Sequence, residues 1–188
     1  MNFHLSDTEK TVYIGIGSNL GNKVENCRKA INLIEKMPSL TLKEQSPLFR
    51  TEPVGVSGQD WYVNCVISLW SEIPAHQILK QLLSIETAMG RERRRKWDPR
   101  PIDLDILLFG NRIIHDQDLQ VPHPLMHLRK FVLVPMVQLA PDMMHPIINK
   151  TMRELLKNLP EEEQSVVPIA DPGLDCSRIH PSPCARQV

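Results

Sequence analysis

The sequence predicts an α+β domain of the ferredoxin-like kind, a βαββαβ sandwich with a C-terminal hairpin and short helices added. Three observations lead there. Two segments with apolar residues at helical spacing alternate with stretches of strand character in the order β-α-β-β-α-β. The strand stretches are rich in Val, Ile and aromatic residues, and glycine, proline or asparagine punctuates their ends. At 188 residues, the chain has the length of one domain with a substantial core and a tail.

VYIGIG (12–17) is a short strand ending in glycine, and GSNLGN turns into a helix with Val24, Cys27, Ile31 and Ile34 on one face. TLKEQSPLFR (41–50) is a strand that Pro47 confines to an edge or a bulge, and WYVNCVISLW (61–70) is a stronger one. The second helix follows Pro74, aligns Ile78, Leu82, Ile85 and Met89, and stops at Gly90. IDLDILLF (102–109) is a strand that Gly110 and Asn111 turn into RIIH as a hairpin. This order places both helices on one face of an antiparallel sheet and leaves the other face for a ligand. Short helical pieces and prolines fill 122–139, and Thr151 with Glu154 forms a capping box for MRELLKNL. The predicted domain covers 11–160. Residues 161–188, acidic and then rich in Pro and Ser, are expected to be a loosely ordered, dispensable tail.

Basic and acidic residues number 22 each, so the chain as a whole is no scavenger of polyanions, and any basic cluster acts locally. No cationic start leads into an apolar signal core, and no apolar run approaches the ~20 residues of a membrane span. A soluble, cytoplasmic protein is expected, with no nucleic-acid or membrane partner. Cys27 and Cys65 read as small buried thiols. Cys176, His180 and Cys184 are evenly spaced but lack a fourth metal ligand.

The chemistry concentrates in RERRRKWDPRPIDLDILLFG (91–110). Asp103 and Asp105 are two apart in a strand, so they share a face about 6 to 7 Å apart, while Leu104 and Ile106 point into the core. Two carboxylates so placed repel unless a cation lies between them, and hard oxygens suit Mg²⁺. Solvated aspartates beside a solvated basic loop, or an RNA-binding arm, are the plainer readings. A magnesium-bound triphosphate accounts for acids and arginines together, because guanidinium groups take phosphate oxygens bidentately. GSNLG lacks the Lys-Ser/Thr of a P-loop, so side chains must hold the nucleotide. Asn64 lies two residues from Tyr62 on one strand face, and an inward Asn needs a hydrogen-bonding partner. His123, Arg129 and Phe131 are further candidates beyond the hairpin. An RNA-binding module on this frame would use Tyr62 for stacking, but the aromatic RNP1 signature is missing. A two-metal nucleotidyl transferase is a third reading.

GSNLG, FRTEPVG, the YVN strand, WDPRPIDLDILLFG, VPHP and the R-K-F run together resemble the 6-hydroxymethyl-7,8-dihydropterin pyrophosphokinases of folate biosynthesis, from about Val12 to Leu159. The resemblance implies transfer of the terminal diphosphate of ATP to the hydroxymethyl group of a reduced pterin alcohol, with release of AMP, by a monomer. It implies that Asp103 and Asp105 ligate two Mg²⁺ ions, and that Arg91, Arg93, Trp97 and Arg100 belong to a catalytic loop. Glu86, Ile106, His123 and Arg129 are implied on the nucleotide side. Tyr62 and Phe131 are implied to sandwich the pterin, joined by Trp97, with Asn64 on its edge and Thr51 and Val54 offering backbone groups. Asp98 and Glu52 depart from the family pattern, which has Gly or Ala and Pro there.

Overall fold

A computed structural model describes residues 10–53, 60–91, 99–160 and 164–170. Strand β1 (Thr11–Ser18) leads to helix α1 (Lys23–Glu35), then β2 (Leu40–Gln45), β3 (Phe49–Thr51) and β4 (Tyr62–Ser71). Helix α2 (Ala75–Ala88) and β5 (Asp103–Phe109) complete the βαββαβ unit. After it come β6 (Ile114–His115), β7 (Gln120–Val121), a 3-10 turn (Met126–Leu128), α3 (Lys130–Leu139), α4 (Met152–Lys157) and β8 (Val166–Pro168). The sheet order is β5-β1-β4-β3-β8, with β2 beside the far end of β4, and every pairing is antiparallel.

β2 and β3 are the two halves of the strand expected at 41–50. Proline has no N–H to donate, so the ladder breaks at Pro47. Ser46 bridges the gap: its N–H donates to the Val66 carbonyl at 2.9 Å and its Oγ accepts from the Val66 N–H at 3.0 Å. The helix ends follow the sequence signals. Asn22 Oδ1 accepts from the Glu25 N–H at the start of α1. Gly90, at φ +87°, closes α2, with Gly90 N–H donating to Thr87 O and Arg91 N–H to Glu86 O. That paired closure directs the chain back over the last turn. The capping box at α4 forms as expected between Thr151 and Glu154.

The main core lies between the sheet and α1 and α2. Ile14, Ile16, Cys65, Ile67, Leu104 and Ile106 meet Cys27, Ile31, Ile34, Ile78, Leu82 and Ile85. The opposite sheet face is not wholly free, contrary to the expectation. Tyr13, Val66, Leu107 and Leu108 make its one end apolar, and α3 and α4 cover that end with Val132, Leu133, Met136, Met152 and Leu155. A β-bulge after the Tyr13–Leu108 pair shifts the register of β5 and lets the consecutive Leu107 and Leu108 both join this second cluster. Among the described residues, this second cluster leaves the far end of the face open.

Two further expectations are corrected. The hairpin after Gly110 does not return on β5: β6 pairs with β7, Ile114 opposite Val121. The outer edge of β5 is already engaged, since the Leu104 N–H donates to Glu86 Oε1 and the Leu107 carbonyl accepts from the His123 N–H. The domain also does not stop at Pro160. β8 pairs with β3 in the register Phe49–Pro168, Arg50–Val167 and Thr51–Val166, because β3 would otherwise present a bare edge. Residues 171–188, with Cys176, His180 and Cys184, lie outside the described residues.

Candidate active site

In an antiparallel sheet, residues opposite one another on neighbouring strands share a face. The pairings Phe49–Asn64, Asn64–Gly17 and Gly17–Asp103 therefore set Phe49, Asn64, Gly17 and Asp103 in one row across the open end. Gly15–Asp105 is the next row inward and Thr51–Tyr62 the next outward. Glycine forms the floor, with carboxylates on one side and Asn64, Tyr62 and Thr51 on the other. A Cβ on Gly17 would stand 2.6 Å from Asn64 Oδ1, so only glycine leaves this depression. The sequence reading treated VYIGIG as a strand end and missed this floor. Its signal was the pair of glycines two apart inside a strand.

Asp103 and Asp105 share the open face as their spacing predicts, and Leu104 and Ile106 are buried beneath them. Burial first, and then the neighbouring Asp103, push the Asp105 carboxyl up to about 7, against the pull of Arg129 and Arg100. Arg100 Nη2 lies 3.3 Å from Asp103 Oδ2, and Arg91 Nη1 donates to Asp103 Oδ1 at 2.6 Å. Arg100 Nε is buried without a hydrogen-bond partner among the described residues.

The chain loop after β1 holds Arg100 in place. Asn19, buried, accepts from the Arg100 N–H through Oδ1 at 2.8 Å, and its own N–H donates to the Arg100 carbonyl. Asn26 Nδ2 ties the same loop down through Ser18 Oγ and Leu20 O. GSNLG is thus more than a turn into a helix, and its asparagine could not be singled out without knowing what lies opposite.

Two residues implied on the nucleotide side stand differently. Glu86 is buried on the sheet-facing stripe of α2, where Oε1 accepts from the Leu104 N–H at 2.8 Å and pairs with Arg91. Its carboxyl braces the β5 edge and Arg91, and burial above all raises its pKa. Ile106 sends its side chain into the main core, since strand alternation turns it away from Asp105, so that side chain faces no ligand on the open sheet face.

His123 donates its N–H to Leu107 O and accepts the Leu125 N–H on Nδ1. Burial, then Arg129, lowers its pKa to about 4, so the imidazole is neutral near pH 7. The Arg129 guanidinium carbon lies 5.6 Å from the Phe131 ring centroid, at the start of α3. Across the floor, Asn64 Nδ2 donates to the Thr51 Oγ1 at 2.6 Å, both residues being buried. Burial raises the Tyr62 pKa, with Arg100 opposing and Asp103 adding to it, which places that phenol among the charges. Val54, Arg93, Trp97 and Asp98 lie outside the described residues.

An open ferredoxin-like sheet end with paired carboxylates and converging guanidinium groups is the frame of a transferase that handles phosphates. The model of the family described as 7,8-dihydro-6-hydroxymethylpterin-pyrophosphokinase matches residues 13–141. A 2-amino-4-hydroxy-6-hydroxymethyldihydropteridine pyrophosphokinase of Methylorubrum extorquens is 38% identical over 147 residues, covering 78% of this chain and 92% of that protein. Its namesake in Pseudomonas aeruginosa is 39% identical over 151 residues, covering 80% and 93%. The solved wild-type HPPK-DHPS of Plasmodium falciparum shares the fold at a TM-score of 0.65 and 15% identity, over 78% of this chain and 44% of the solved one. The chain belongs to the 7,8-dihydro-6-hydroxymethylpterin-pyrophosphokinase family.

Proposed function

We propose that the open sheet end carries out the family's reaction, with Asp103 and Asp105 as the ligands of two Mg²⁺ ions and the arginines as the phosphate grip. The activity is that of a pyrophosphokinase of folate biosynthesis, using ATP as co-substrate and 6-hydroxymethyl-7,8-dihydropterin as acceptor. The observation that supports the residue assignment is the row Asn64–Gly17–Asp103, in which a glycine floor separates the carboxylate-bearing strand from the strand that bears Asn64. The residues fit magnesium: two carboxylates on one face give part of an oxygen shell, leaving other positions for phosphate and water. Among the described residues no group of three or more His, Cys, Asp or Glu side chains is arranged to hold a metal.

Bound magnesium supplies charge neutralisation on the phosphates. Arg91, Arg93, Arg100 and Arg129 take phosphate oxygens, and neutral His123 offers a hydrogen bond without adding charge. Trp97, Tyr62 and Phe131 bind the flat pterin by its faces, Asn64 hydrogen-bonds its edge, and Thr51 orients Asn64, with Val54 adding a backbone contact. The pterin hydroxyl oxygen bonds to the β-phosphorus as the bond to the α,β-bridging oxygen breaks, the hydroxyl proton is lost, and AMP leaves. Catalysis is then positional and electrostatic, with no covalent enzyme intermediate. Glu86 supports Arg91 and Leu104 from behind. The protein is read as a monomer, and no helix among the described residues is long and apolar enough to cross a membrane. Incubation with ATP, Mg²⁺ and the reduced pterin alcohol tests the assignment: AMP and the pterin diphosphate are expected, whereas ADP or no turnover overturns it.

A further inference from the structure

Helix α3 begins without a cap of its own. Arg129 occupies the N-cap position and makes no side-chain capping hydrogen bond to the first turn. The acceptor comes from far along the chain: the Phe131 N–H donates to Gln164 Oε1 at 3.2 Å. The other half of the same amide, Gln164 Nε2, donates to the Glu52 carbonyl at 2.5 Å. Gln164 is buried, and both bonds lie partly away from water.

Glu52 answers in kind. Its N–H donates to the Ser165 carbonyl at 3.1 Å and its Oε2 accepts from the Ser165 N–H at 3.3 Å. A proline at 52 could not make the first of these bonds. β8 then continues the ladder along β3. The segment 164–168 therefore clips the end of β3, adjoining Thr51, to the start of α3, which bears Phe131.

We propose that Gln164 is a positioning residue for the pterin: it sets the separation between the Phe131 ring and the Thr51–Asn64 pair by capping α3 and holding the Glu52 carbonyl in one amide. This rests on the assignment of Phe131, Thr51 and Asn64 to the pterin side. With the amide intact, the two walls form one rigid slot of fixed width. Without it, the first turn of α3 frays and the ring stands off the pterin face, while the carboxylates on β5 are untouched.

The experiment compares full-length wild type, Gln164→Leu, Gln164→Glu and Phe131→Ala by steady-state kinetics, varying the pterin alcohol and ATP in turn, with thermal unfolding alongside. Gln164→Leu keeps the bulk and loses both hydrogen bonds; a rise of about tenfold in the KM for the pterin is expected, with the KM for ATP and kcat within about twofold. Gln164→Glu keeps the acceptor for Phe131 and loses the donor to Glu52, so an intermediate rise is expected. An unchanged pterin KM in Gln164→Leu, or equal rises in both KM values, overturns the proposal and leaves Gln164 a stabiliser of the fold. Phe131→Ala separates the two levels of argument. If it too leaves the pterin KM unchanged, the pterin-site assignment itself has failed; if it raises that KM while Gln164→Leu does not, only the clip has failed.

Discussion

Gly17→Ala tests the sheet-floor argument most directly. The backbone of Gly17 is not among those with positive φ, so alanine meets no backbone strain there, and only space is at issue. The added Cβ would stand 2.6 Å from Asn64 Oδ1, against about 3.3 Å for the closest ordinary carbon–oxygen contacts. The amide must therefore yield by roughly 0.7 Å. It has no slack on its other side, because Asn64 Nδ2 already lies 2.6 Å from Thr51 Oγ1. Either Asn64 rotates and the buried bond to Thr51 breaks, or β1 and β4 separate. Losing one buried hydrogen bond costs about 1 to 3 kcal/mol, which corresponds to a rise of roughly 5- to 150-fold in the KM for the pterin. The same loss lowers the melting temperature by about 2 to 4 °C per kcal/mol. Kinetics with the pterin varied at saturating Mg-ATP, together with thermal scans, read both effects. Adding Asn64→Ala removes the clash, so the double variant should regain stability relative to Gly17→Ala but not pterin affinity. A Gly17→Ala protein with wild-type KM and wild-type melting would refute the account of the floor.

Asp103→Asn and Asp105→Asn should each lower turnover by about 10²- to 10³-fold. Asp105→Asn should also raise the melting temperature of the metal-free protein, because it removes a buried charge facing Asp103; near-normal turnover at moderate Mg²⁺ in either variant would defeat the metal assignment. Arg91→Ala should destabilise the ligand-free protein by about 3 kcal/mol, at the low end for a broken buried pair because Glu86 can protonate. Glu86→Gln in that background should recover much of the loss in urea unfolding. For pH, the metal-free folded protein binds a proton on Asp105 between its unfolded value of 3.8 and about 7. The stability this carries is full below 3.8 and is lost as pH rises through about 7. Magnesium needs the ionised form, so its affinity should fall by about tenfold per pH unit below that midpoint. Titration calorimetry at pH 6 in buffers of different ionisation enthalpy should show proton release; none would refute the shift.

Strand and helix order, the irregularity at Pro47, the helix stop at Gly90 and the helix start after Thr151, and the shared face of Asp103 and Asp105 were all legible along the chain. Each depends on periodicity or on the backbone chemistry of residues close in sequence. The sequence also bore the family's motifs, and with them the activity. Tertiary structure alone decided how the site is braced. Glu86 turns inward because the β5 edge leaves the Leu104 N–H bare, and α3 covers half of the supposedly free face because a β-bulge makes that half apolar. Asn19 and Arg100 meet across 81 positions, and Gln164 and Glu52 across 112. No local pattern encodes such contacts: a polar side chain in a loop reads as solvated until the fold removes the water and supplies a partner.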